Sequence, residues 1–226
     1  MILRLLGQMV LLLAAVNATA LISSKPASAE GPRDTVHIVA LGDSLTAGLG
    51  VGPSDALPAV LERLLKGKGY PVEIQNAGVS GDTTAGGLAR LDWAVPDGTQ
   101  AVILALGAND MLGGLDVQRA RNNLESIIKQ LKARHIPVLL TGMHANRTLG
   151  DDYVKAFDRI YPELAETYGL IFYPFLLDGV ALDPKLNQAD GLHPNPEGVR
   201  RIAERMLPFV EKLLAQVKAE RSKSTQ

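Results

Sequence analysis

Apolar residues recur along this chain with two different periods, and the alternation between them predicts most of its architecture. Short, β-branched apolar runs at 35–41 (TVHIVAL), 71–75 (PVEIQ), 101–106 (AVILAL), 137–141 (PVLLT) and 170–174 (LIFYP) read as strands. Several have no polar side, which is the signature of a strand covered on both faces. Between them, apolar positions spaced three and four apart predict helices near 56–67, 84–93, 116–134 and 151–168, with a fifth at 196–218. Buried strands alternating with helices imply a three-layer α/β/α sandwich around a five-stranded, mostly parallel sheet. The polar stretch from Lys218 to Gln226 reads as a frayed, solvated helix end.

The first thirty residues follow a different pattern. Arg4 precedes an apolar run from Met9 to Ile22, and Ala27-Ser28-Ala29 supplies a small-x-small cleavage pattern. Asn17 and Thr19 interrupt the run, and it falls short of the roughly 20 apolar residues that span a bilayer. The expectation is a secretory signal at 1–29, a single domain over 30–226 and a periplasmic or secreted product without a stable membrane anchor. An uncleaved anchor is the alternative reading of the same run.

Composition narrows the chemistry. A net charge of −1 and the lack of a basic stripe exclude a nucleic-acid partner. With no cysteine among 226 residues, disulfides, thiolate metal sites and a cysteine nucleophile are ruled out. Four histidines, His37, His135, His144 and His193, are scattered without a helical His pair, so no metal or other cofactor is expected. The dinucleotide fingerprint fails because Pro53 stands where its third glycine belongs, and Thr46 occupies the second glycine of the α/β-hydrolase nucleophile elbow.

In a parallel α/β sheet, ligands bind beyond the carboxyl ends of the strands. Four of those positions carry chemistry: Gly42-Asp43-Ser44-Leu45, Asn76 to Asp82, Gly107-Ala108-Asn109-Asp110 and Asp190-Gly191-Leu192-His193-Pro194. A serine hydroxyl attacks only when a base takes its proton and a third group orients the base. Asp190 and His193, three apart in one loop, can supply both to Ser44. Gly81 and Asn109 offer a backbone and an amide donor for an oxyanion. Taken singly, each of these residues is an ordinary turn former. Asp43, Asp82 and Asp110 also admit a carboxylate-pair reading, although a carboxylate after a strand more often braces its own loop. Trp93, Phe172, Tyr173 and Phe175 read as core or pocket wall.

Together the segments GDSLTAG, NAGVSGDT, GAND and DGLHPN resemble, in order and spacing, the four blocks of the SGNH (GDSL) hydrolase family, over about Val36 to Pro196. The run Gly87-Leu88-Ala89-Arg90-Leu91 is most similar to the bacterial periplasmic branch of thioesterases, lysophospholipases and arylesterases. The resemblance implies a flavodoxin-like fold, Ser44 as nucleophile, His193 as base, Asp190 as its orienting partner, and an oxyanion hole of Ser44 N–H, Gly81 N–H and the Asn109 side chain. It implies no cofactor, a small-molecule ester or thioester substrate and a monomer. Two departures stand out: Ala108 replaces a glycine common in that branch, and the loop from Met143 to Gly150 lacks its proline. A carbohydrate-ester deacetylase on the same fold and a non-catalytic binding protein remain the competing readings.

Overall fold

The computed structural model describes residues 35–224, so the expected secretory signal at 1–29 lies outside the described residues. In chain order the elements are β1 (Val36–Gly42), α1 (Ser44–Ala47), α2 (Leu57–Gly67), β2 (Val72–Gly78), α3 (Thr84–Ala89), α4 (Leu91–Ala94), β3 (Ala101–Ala105), α5 (Ala108–Leu112), α6 (Val117–Ala133), β4 (Val138–Thr141), α7 (Asp151–Tyr168), β5 (Ile171–Tyr173) and α8 (Pro196–Ser224). Two single 3₁₀ turns, Pro53–Asp55 and Arg147–Leu149, complete the list.

All strand pairings are parallel and the order is β2-β1-β3-β4-β5. This is the flavodoxin-like doubly wound order. The expected "mostly parallel" sheet is therefore wholly parallel. The central β3 is buried at every position, as its unbroken AVILA run requires. β2, at an edge, alternates buried Val72 and Ile74 with exposed Glu73 and Gln75. Helices α2 and α8 pack on each other, α3 and α7 pack on α6, and these two groups form the outer layers.

Local chemistry explains where several elements stop. Asn195 caps α8 by accepting from Glu197 N–H and Gly198 N–H at 3.0 Å, with Pro196 at the first helical position. Once started, α8 continues to Ser224, six residues past the expected end, so the polar tail is helical for most of its length. The single helix expected over 84–93 is instead two, broken at Arg90 (φ −105°, ψ 9°). Gly86 and Gly87 weaken the helix just before the break, and the Arg90 side chain turns back toward the sheet. Trp93 departs from the core or pocket-wall reading: it is 71% exposed on α4. Tyr173 is buried and packs on Phe209 with ring centroids 5.1 Å apart.

Candidate active site

The strand order reverses between β1 and β3, which opens a crevice at their carboxyl ends. Ser44 follows β1 there as the first residue of α1. Asp43 caps that short helix, its carboxylate accepting from Leu45 N–H at 3.0 Å. α1 can lie against the sheet because the two strand ends beneath it are glycines. A Cβ on Gly42 would stand 2.0 Å from Thr46 Oγ1, and one on Gly78 would stand 2.2 Å from Ala47 N.

The loop from Phe175 to Asn195 delivers the other two members. His193 Nε2 lies 2.9 Å from Ser44 Oγ, and His193 Nδ1 lies 2.7 Å from Asp190 Oδ2. The other Asp190 oxygen accepts from His193 N–H at 3.0 Å and from Leu192 N–H at 2.9 Å, which locks the turn. These interactions, the His193 N–H first, hold the Asp190 carboxyl down at about 2. An ionised carboxylate can only accept, so Nδ1 carries the proton and Nε2 is left to accept from the Ser44 hydroxyl. Asp43 shows the opposite behaviour. Burial pushes its carboxyl up to about 6, against the opposing pull of the Leu45 N–H and of His193.

Three candidate donors border the same pocket as His193. Among the described residues the N–H groups of Ser44 and Gly81 donate to no protein acceptor. Gly81 has φ +84°, a conformation that only glycine adopts without strain. Asn109 is the second residue of α5, and its Nδ2 donates to the Asp82 carbonyl at 2.8 Å. That carbonyl can only accept, so it fixes which end of the amide is the donor and leaves the second Nδ2 hydrogen for another acceptor. All five residues expected from the sequence, Ser44, Gly81, Asn109, Asp190 and His193, are thus gathered in one crevice.

The pocket itself encloses about 190 Å³ and is lined by Leu45, Leu49, Met111, Leu112, Met143 and Leu192, among others, around Ser44 and His193. Ala108 lines it too, which puts the departure from the family pattern at the site. These wall residues were invisible in the sequence because they come from separate loops and carry no reactive group. The three aspartates after strands brace their loops: Asp43 caps α1, Asp82 pairs with Arg90 at 2.6 Å, and Asp110 accepts both the N–H (2.8 Å) and hydroxyl (2.6 Å) of Thr84.

Comparison with known proteins agrees with this geometry. The family model described as "GDSL-like Lipase/Acylhydrolase family" matches residues 40–201. Esterase TesA of Pseudomonas aeruginosa is 36% identical over 178 residues, covering 78% of this chain and 89% of the relative. Thioesterase 1/protease 1/lysophospholipase L1 of Escherichia coli K12 is 36% identical over 182 residues, covering 80% and 85%. Among solved structures, the SGNH-hydrolase family esterase AlinE4 is 44% identical with a TM-score of 0.67, over 80% of this chain and 97% of that one. With its four sequence blocks gathered at one switch point and its match to that model over most of its length, the chain belongs to the GDSL-like lipase/acylhydrolase family and is an ester hydrolase.

Proposed function

We propose that the chain hydrolyses carboxylic esters and thioesters with lipophilic acyl groups through a covalent acyl-enzyme on Ser44. The observation that carries this reading is the continuous line from Asp190 through His193 to Ser44, with contacts of 2.7 and 2.9 Å. Ser44 Oγ attacks the carbonyl carbon while its proton passes to His193 Nε2. The carbonyl π electrons move onto oxygen, where Ser44 N–H, Gly81 N–H and the free Asn109 N–H meet the charge. Collapse of this intermediate breaks the bond to the alcohol or thiol, which leaves with the proton from His193. Water, deprotonated by the same imidazole, then attacks the acyl carbon and releases the carboxylic acid and free Ser44. Asp190, ionised throughout, stabilises the imidazolium formed in each half.

The wall of leucines and methionines supports an acyl or aryl group as the buried part of the substrate, in keeping with the esterase, thioesterase and lysophospholipase activities named in the relatives. At about 190 Å³ the cavity is smaller than the roughly 300–1,000 Å³ that encloses a drug-sized ligand. It holds a short acyl group or the first part of a longer one. A sugar ester would need further polar partners, whereas among the described residues lining this pocket Ser44, Asn109 and His193, all used by the proposed chemistry, are the polar side chains. The proposal also takes residues 1–29 as a secretory signal and the product as a periplasmic or secreted monomer.

A fluorophosphonate probe tests the centre of the reading. Ser44 should carry the label, Ser44→Ala should lose both label and turnover, and activity should persist in EDTA. Labelling of a different serine, or full turnover by Ser44→Ala, would sink it.

A further inference from the structure

Arg90 lies at the break between α3 and α4, 8% exposed and outside the described lining of the Ser44 pocket. Its guanidinium makes three bonds from three nitrogens. Nε donates to Asp82 Oδ2 at 2.6 Å, Nη1 to the Ala77 carbonyl at 2.9 Å and Nη2 to the Gly42 carbonyl at 2.9 Å. The acceptors lie 8, 13 and 48 residues away in sequence, on three different segments. Each segment carries part of the oxyanion hole. Gly42 ends β1 two residues before Ser44. Ala77 sits near the end of β2, from which the Gly81 turn departs. Asp82 follows Gly81 directly, and its own carbonyl aims the Asn109 amide.

We infer that Arg90 is a positioning residue of the oxyanion hole: one planar cation sets the mutual distances of the three donors that the proposed mechanism uses. The inference rests on that mechanism. A second bond at Gly42 tightens the arrangement, since the same carbonyl accepts from Val79 N–H at 3.0 Å and closes the entry to the Gly81 turn. From the far side, Asp110 ties α5 to the start of α3 through Thr84, whose hydroxyl also accepts from Asn123 Nδ2 at 3.0 Å. Asn109 is therefore held at both ends, through Asp82 in front and Asp110 behind.

Stability alone does not account for this arrangement. The side chains of Arg90 and Asp82 are only 10% and 14% exposed. A buried ion pair of this kind is often replaced by apolar residues with no loss of stability, or with a gain. What an apolar pair cannot do is hold two backbone carbonyls and a carboxylate at fixed spacing from one rigid fork. A lysine cannot do it either, because its ammonium is a single point on a flexible stem. The requirement is geometric: donors must sit about 2.7–3.1 Å from the position of the developing oxyanion, held to within about 0.5 Å of that geometry.

Two variants test the inference in the full chain, with Ser44→Ala alongside: Arg90→Lys, which keeps the charge, and Arg90→Met/Asp82→Leu, which removes the pair together. Kinetics with p-nitrophenyl butyrate should show kcat per folded molecule lowered about 10- to 100-fold in both, as for a displacement of up to about 1 Å. KM should stay within about threefold, and the rate of fluorophosphonate labelling should fall in step with kcat. The double variant should melt within a few degrees of the parent. If either variant retains kcat per folded molecule within twofold, or loses KM in place of kcat, or shows its deficit only as a smaller folded fraction, Arg90 is structural and the inference falls. Survival of turnover in Ser44→Ala would instead overturn the mechanism beneath it.

Discussion

Asp43 and Asn109 flank the proposed nucleophile with opposite demands on the fold. Asp43 is 2% exposed with a carboxyl raised to about 6, against an ordinary value of 3.8. The folded state thus holds this proton more tightly than the unfolded chain. Stability from this group is full below pH 3.8, declines through the interval to 6 and stays reduced above it. Asp43→Asn keeps an acceptor for Leu45 N–H without the buried charge. It should be more stable than the parent above pH 6, by on the order of 2–3 kcal/mol, and no more stable at pH 4. Denaturant melts across pH 4–8 read this directly; an equal gain at both ends would show that the buried charge is not the cause. Asp190 contributes in the reverse sense. Its carboxyl lies at about 2, so what it adds is present above 3.8 and lost only as pH falls toward 2, outside that window. Asn109 is tested by kinetics. Loss of one oxyanion donor costs about 100- to 1,000-fold in turnover, roughly 2.7–4 kcal/mol, so Asn109→Ala should lower kcat by that order with KM changed only a few-fold. Its bond to the Asp82 carbonyl is worth about 1 kcal/mol in stability. A melting temperature on the same preparation separates the two, and near-normal kcat in a folded variant would refute the donor role.

At the level of elements, the site depends on how closely α1 approaches β2. The Gly78 position decides this, because an added Cβ would meet backbone atoms of Ala47 at 2.2 and 2.7 Å, and backbone cannot step aside as a side chain can. Gly78→Ala should cost about 1–3 kcal/mol by overpacking and lower kcat as well, since the displaced helix carries Ser44. Melting and kinetics check both, and a variant with parental stability and turnover would show that α1 has room to move. The periods in the sequence revealed all five strands and the four long helices α2, α6, α7 and α8, because burial of one face repeats over two or more turns, while they merged α3 and α4 into one helix. They were silent on α1 and α5, which carry Ser44 and Asn109. Four or five residues span little more than one 3.6-residue turn, too short for the period to repeat and stand out. The break at Arg90 was legible only as the weak Gly86-Gly87 pair, because the three acceptors that hold the Arg90 side chain come from Asp82, Ala77 and Gly42 in other segments.

For the whole molecule, the doubly wound order gathers the ends of β1, β2 and β3 at one switch point, and the long loop after β5 returns across the sheet to deliver Asp190 and His193. No helix among the described residues is long and apolar enough to cross a membrane. The exported form should begin at Glu30, as the small-x-small pattern at Ala27–Ala29 requires; N-terminal sequencing of the expressed protein checks it, and an intact Met1 in the membrane fraction would contradict it. The sequence by itself determined the layer architecture, the family and the identity of Ser44, Gly81, Asn109, Asp190 and His193 as the chemically loaded positions. Each of these is a local matter: periodicity reports burial of one face, and each block of the site is a short run whose residue types are dictated by a turn and by the group it must present. Only the tertiary structure decided the pocket wall, the opposite shifts of Asp43 and Asp190, and the clamp at Arg90. Those depend on which atoms of distant segments meet, and hydrogen-bond distance, desolvation and shape are properties of the assembled set that no single segment carries.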